Sequence, residues 1–197
     1  MERFSEHWNK SIILSPFDRL FQVIVEPFIP KSVRPNHLTA LRIATIPFVA
    51  YFLHAERFGI AGIIFLFAAL TDWWDGALAR SRRQITVWGI AHDPLADKLL
   101  IGAALFFIVL EHVNAVLGIA LLIIEGILIV VGVYGRMKNL IEPANTWGKI
   151  KMVAEVIGVL LLLLALWLKI DLFIDFSTGT LAFALVAALV SIYSRIK

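Results

Sequence analysis

Eight residues carry most of the chemistry open to this chain. Asp72, Asp75, Gly76, Ala79, Arg80, Gly89, Asp93 and Asp97 fall in the pattern D-x2-D-G-x2-A-R-x8-G-x3-D-x3-D. The surrounding sequence is mostly lipid-soluble, where ionisable side chains are costly to keep and mark function by default. Four carboxylates held close together cannot all ionise without a compensating cation. Oxygen ligands of this kind select a hard divalent ion, Mg²⁺ or Mn²⁺, which readily bridges phosphates. The pattern therefore predicts a site that holds divalent metal against a phosphate-bearing substrate, with Arg80 placed to grip a phosphate through its planar fork.

The elements that must position these residues follow from the spacing. Asp72 and Asp75 are three apart and Asp93 and Asp97 four apart, so each pair shares one helix face. Two antiparallel helices joined by a turn would bring the pairs together. Gly76 and Gly89 remove a side chain where a ligand approaches. Solvated aspartate pairs and glycines that serve helix packing are the ordinary explanations for such residues taken singly. They do not account for all eight together.

The pattern resembles the signature of the CDP-alcohol phosphatidyltransferase family and matches it at every fixed position. Pro35-Asn36-His37-Leu38-Thr39 with Arg42 resembles that family's lead-in to its first membrane helix, and Gly148-Lys149-Ile150-Lys151 its later glycine-lysine motif. The resemblance implies a transferase that moves a phosphatidyl group from a CDP-lipid to an alcohol and releases CMP, with Mg²⁺ or Mn²⁺ as cofactor. It assigns Asp72, Asp75, Asp93 and Asp97 to the metal and Asp97 to general-base catalysis. It assigns Asp72, Gly76, Ala79, Arg80 and Gly89, with Asn36 and Thr39, to the nucleotide. The stretch Asp93-Pro94-Leu95-Ala96-Asp97-Lys98 resembles the variant found in phosphatidylglycerophosphate and cardiolipin synthases, so glycerol 3-phosphate is the preferred acceptor. Arg136, Lys149 and Lys151, with Lys138 nearby, form a candidate cationic pocket for the acceptor phosphate. Inositol phosphate, another polyol phosphate and phosphatidylglycerol are the rival acceptors. One departure bears on that choice: Ile124-Glu125 and Gly132 stand where glycerophosphate enzymes often carry Arg-Glu and a second arginine. Glu125 is expected to face the interior. The resemblance also implies a homodimer, and no nucleic-acid partner.

Composition agrees with an integral membrane protein. The chain has 197 residues, 60% of them hydrophobic, and a mean hydropathy of +0.86. Soluble domains run nearer 45–50% apolar, by roughly that average. There is no cysteine, which excludes disulfides, thiolate metal sites and a cysteine nucleophile. Zinc-protease and nucleophile-elbow motifs are absent too. Ser81 has no evident His/Asp partner, and His92, beside Asp93, reads as a surface or supporting residue.

The fold class expected is an all-α integral membrane protein. Residues 1–34 form an amphipathic juxtamembrane segment: Phe4, Trp8, Ile12, Phe17, Leu20, Phe21, Ile24 and Phe28 recur at near-helical spacing, and Ser15-Pro16 can restart a helix. An arm packed on a partner is the alternative. No cleavable signal peptide is expected, because a basic start, a continuous apolar core and a small-residue cleavage site are missing. Residues 35–197 form a six-helix membrane domain, with spans near 37–55, 59–80, 91–111, 114–136, 147–168 and 172–193. The Lys and Arg distribution puts both termini and the aspartate motif on the cytoplasmic side of the cell inner membrane or its equivalent. An ion-coupled transporter is the rival from another class. It predicts inverted repeats, which the sequence does not display, and has no use for Arg80 and the two glycines.

Overall fold

The computed structural model describes residues 16–137 and 146–196. Expectations for Phe4, Trp8, Ile12, Ser15 and Lys138 lie outside the described residues. All regular structure among the described residues is helical. Helix α1 is Pro16–Ile24, followed by a 3₁₀ turn at Glu26–Phe28. Then come α2 (Pro35–His54), α3 (Phe58–Ser81), α4 (Val87–Ala104), α5 (Ala115–Met137), α6 (Thr146–Leu168) and α7 (Leu172–Ile196). Helix α4 runs on through a π-helical turn, Leu105–Val109, to Leu110–His112.

Four of these helices are long and apolar enough to cross a membrane: Phe58–Ser81, Ala115–Gly135, Thr146–Leu168 and Leu172–Ser194. Helices α2 and α4 occupy the places of the other two expected spans but carry more polar residues. Helix α4 begins at Val87 rather than near 91, because Thr86 caps it: the Gly89 N–H donates to Thr86 Oγ1 at 3.0 Å. Asn114 caps α5 in the same way, accepting from the Leu117 N–H at 3.1 Å.

Three helices stop without glycine. After α2, α3 and α6 the residues Glu56, Arg83 and Lys169 take positive φ of 55°, 53° and 58°. The N–H that follows each reaches back five residues: Arg57 to Phe52 O, Gln84 to Ala79 O and Ile170 to Ala165 O, at 2.8–3.1 Å. These are Schellman closures, in which orphan carbonyls gain donors and offset the cost of a left-handed residue.

Contacts group the chain into two compact units, Met1–Thr45 with Phe67–Asp97 and Ile46–Leu66 with Lys98–Lys197. In the first, Phe21 of α1 is buried with Ala77 and Leu78 of α3, and Val25, Ile29, Leu38 and Trp74 pack around them. Leu20, Val23 and Ile24 on the same short helix are exposed. In the second, α6 and α7 pair closely: Ser177 donates to the Gly158 carbonyl at 2.8 Å, and Leu162, Leu163, Leu181 and Ala184 are buried.

Candidate active site

The first two turns of α2 carry a polar stripe. Asn36, Thr39 and Arg42 are three apart and share a face, and each reaches α3, α4 or the residue that caps α4. Arg42 is fully buried, and its guanidinium gathers three of the four aspartates. Nη1 pairs with Asp72 Oδ1 at 2.7 Å and with Asp97, and Nη2 pairs with Asp75. Thr39 donates to Asp93 Oδ1 at 2.7 Å and lies 3.2 Å from Asp75 Oδ2. Asn36 Oδ1 accepts from Thr86 Oγ1 at 2.6 Å, which ties the cap of α4 to the start of α2. The two aspartate pairs thus meet as their spacing predicts, on α3 and α4, through partners supplied by α2.

The cluster is partly open. The Asp72 and Asp97 side chains are 26% and 17% accessible, against 4% for Asp75. Gly89 borders it: a Cβ there would stand 3.2 Å from Thr86 Oγ1, 3.3 Å from Asp93 Oδ2 and 3.5 Å from Asn36 Oδ1. Gly76 lies beneath Arg80, where a Cβ would stand 3.2 Å from Nη1. Both glycines keep side-chain bulk away from polar groups of the site.

Arg80 is held by a residue outside the signature. Its Nε and Nη2 contact the Asp18 carboxylate at 2.8–3.1 Å. Ser81 donates to Glu26, and Arg82 pairs with Glu26 at 3.1 Å while donating to the Ile29 and Val33 carbonyls at 3.1 and 2.9 Å. His92 is engaged within its own helix, stacked on Trp88 with ring centroids 4.3 Å apart and Nδ1 2.8 Å from the Trp88 carbonyl.

Among the described residues, no three carboxylates surround one point closely enough to hold a metal ion as they stand. They surround Arg42. The donor set still fits a hard divalent cation. It is all oxygen, and one guanidinium serves three of the carboxylates while the fourth, Asp93, meets only the neutral Thr39 hydroxyl, so further positive charge would be favourable.

The cations expected for the acceptor behave differently from one another. The Arg136 side chain lies outside the described residues. Lys149 is exposed. Lys151 is buried in the second unit, where its ammonium pairs with Glu125 of α5 and, at 3.0 Å, with Glu155 one turn further along α6. Glu125 faces inward as its position in an apolar helix predicts. Glu125 Oε2 and Glu155 Oε1 are buried without a hydrogen-bond partner.

Sequence reasoning missed three partners. Arg42 figured only as a member of a lead-in motif, although a basic residue inside an apolar stretch that precedes four acids is a signal. Asp18 lies in the amphipathic segment, outside every motif, and its spacing from Arg80 carries no signal. Glu155 stands four residues after Lys151, the spacing of a helical ion pair.

Helices of membrane length and a carboxylate cluster at a glycine-bordered opening are the features of an integral membrane protein with a candidate site for a charged ligand. The family model for CDP-alcohol phosphatidyltransferase matches residues 32–192, and the chain belongs to that family. It is 37% identical over 138 residues to the CDP-diacylglycerol–glycerol-3-phosphate 3-phosphatidyltransferase of Pseudomonas fluorescens, covering 66% of this chain and 71% of that protein. The protein of the same name from Haemophilus influenzae is 36% identical over 132 residues, covering 63% and 71%. That from Yersinia pestis (strain Pestoides F) is 43% identical over 84 residues, covering 41% and 46%.

Proposed function

We propose that this chain transfers the phosphatidyl group of CDP-diacylglycerol to glycerol 3-phosphate and releases CMP, as a step in phospholipid synthesis. The observation that carries the proposal is the meeting of Asp72, Asp75, Asp93 and Asp97 around Arg42 and Thr39 in a member of this family. The names of the relatives support the choice of donor and acceptor.

The roles follow from position. Asp72, Asp75, Asp93 and Asp97 would hold Mg²⁺ or Mn²⁺, which when bound would neutralise the pyrophosphate of the donor. Asp97, partly accessible, takes the proton from the acceptor hydroxyl as its oxygen bonds to the phosphatidyl phosphorus and CMP departs. Arg80 grips a donor phosphate. Asn36 and Thr39 fix the carboxylates and the start of α4, and Gly76, Ala79 and Gly89 leave room for the nucleotide. Lys149 and Arg136 attract the acceptor phosphate. Lys151 joins them only by giving up contact with Glu125 and Glu155, so its larger contribution is to hold that buried group together.

In this reading α2 and α4 cross the membrane as well, making six spans. Their polar residues support the count, since they are spent on partners inside the protein. The site opens to the cytoplasm, residues 1–34 lie on the membrane surface, and two copies associate.

The experiment is CMP release by purified protein given CDP-diacylglycerol, Mg²⁺ and, in separate reactions, glycerol 3-phosphate, inositol phosphate and phosphatidylglycerol. Release with glycerol 3-phosphate alone is the expected result. Release with another acceptor alone would move the assignment within the family, and release with none would overturn it.

A further inference from the structure

Asp18 stands on α1, more than fifty residues ahead of the signature, yet it is 2% exposed and is bound to a signature residue. Arg80 Nε lies 3.0 and 3.1 Å from its two carboxylate oxygens, and Nη2 lies 2.8 Å from Oδ1. One edge of the guanidinium is therefore engaged by a planar anion. On the other side, Nη1 lies over the bare backbone of Gly76, where a Cβ would come within 3.2 Å of it. The Arg80 side chain is nevertheless 41% accessible. Asp72, Gly76 and Arg80 are four apart in turn, so the restrained guanidinium shares a helix face with a carboxylate of the site.

A free arginine side chain loses much rotamer freedom when it is ordered by a ligand. One already held in place avoids that loss at the moment of binding. We propose that Asp18 is a positioning residue. It fixes the Arg80 fork so that its remaining N–H groups meet a phosphate of the nucleotide-lipid donor, and it makes α1 part of the donor site. This rests on the reading that Arg80 grips a donor phosphate. An ion pair that only anchors α1 would act on stability and not on the donor. Phe21, packed on Ala77 and Leu78, already supplies an anchor.

The test uses the full chain in detergent with Mg²⁺. Binding of CDP is measured by calorimetry, and CMP release is measured with donor and acceptor varied separately. In Asp18→Asn, CDP affinity should fall about tenfold and the donor KM should rise about tenfold, the loss of roughly one charge-assisted hydrogen bond. The acceptor KM and kcat should stay within about twofold, the mark of lost donor binding rather than lost chemistry. Asp18→Glu, which keeps the charge, should recover most of the affinity. In an Arg80→Gln background, Asp18→Asn should add nothing, since the group it positions is gone. Phe21→Ala serves as the control, lowering Tm without the donor-specific shift. A fall in Tm or kcat with unchanged CDP affinity, or an equal cost of Asp18→Asn with and without Arg80, would overturn the inference. Wild-type protein that does not bind CDP would overturn the functional reading and this inference with it. Wild type that binds CDP no better than Asp18→Asn would overturn the inference alone.

Discussion

Both units of the protein bury a cation among carboxylates, and the two clusters are built differently. Arg42 meets Asp72, Asp75 and Asp97 with two of those acids still 17–26% accessible, and Gly89 keeps the neighbouring space free. Lys151 meets Glu125 and Glu155 with every side chain at 7% or below. Arginine suits the first, because its fork can serve several acids at once in fixed geometry. Lysine suits the second, where a compact charge neutralises two nearby acids. An ion cluster that water and ligands can reach is placed to do chemistry. One sealed between helices holds helices, at a desolvation cost that apolar side chains would avoid.

The comparison breaks if the two clusters respond alike to substitution. The largest expected effect is on chemistry in the first: Asp72→Asn, Asp75→Asn and Asp93→Asn should each reduce CMP release to background while the detergent-solubilised protein keeps its helical circular dichroism. Near-normal release by two of the three would remove the assignment. Asp97→Asn should lower kcat by about 10²–10⁴-fold, the usual worth of a general base, with CDP affinity retained. A collapse of affinity with kcat intact would make it a ligand instead.

In the second cluster the expected loss is stability. Lys151→Ala should cost about 3–5 kcal/mol in denaturant unfolding, because two carboxylates stay buried without their cation. Replacing all three charges together, as Lys151→Met with Glu125→Leu and Glu155→Leu, should restore the midpoint to near wild type or above it. A triple variant as unstable as the single one would mean that the charges do more than hold helices.

Two glycines sharpen the contrast on a smaller scale. Gly89→Ala should lower turnover about tenfold with little change in Tm, since the new methyl crowds polar atoms that position Asp93. Gly158→Ala should do the reverse, costing about 1–3 kcal/mol of stability by overpacking. The added methyl would stand 2.8 Å from both Cδ2 and Cγ of Leu181. The narrowest effect belongs to Lys149→Ala, an exposed side chain: an acceptor KM raised about tenfold with donor KM and kcat unchanged. No change in either would return Lys149 to a purely topological role.

The aspartate pairs were legible because helical spacing alone puts each pair on one face. The apolar runs located α3, α6 and α7 to within a residue or two at their starts, since long stretches of Leu, Ile, Val and Ala admit little else. What escaped was tertiary. Thr86 caps an α4 that starts at Val87, four residues ahead of the expected 91, because Gln84 and Thr86 read as a polar connection. The ends of α2, α3 and α6 were met to within a residue, but not the means of closure: Glu56, Arg83 and Lys169 close these helices in a conformation usually given to glycine. Lys151 sits in a glycine-lysine motif and read as a phosphate ligand. Its burial depends on Glu125, which lies 26 residues earlier on another helix.

The buried guanidinium of Arg42 also constrains the order in which the protein can be assembled. A chain made from its N-terminus presents α2 before Asp72, Asp75 and Asp97 exist. A lone arginine costs about 2.5–3.5 kcal/mol at the centre of a membrane helix on insertion scales, and less toward the end, where Arg42 stands. That cost is offset only when α3 and α4 dock and deliver their carboxylates. If α2 spans the membrane as proposed, its stable insertion is a joint event with α3 and α4, and the ion pairs that shape the site also complete that insertion.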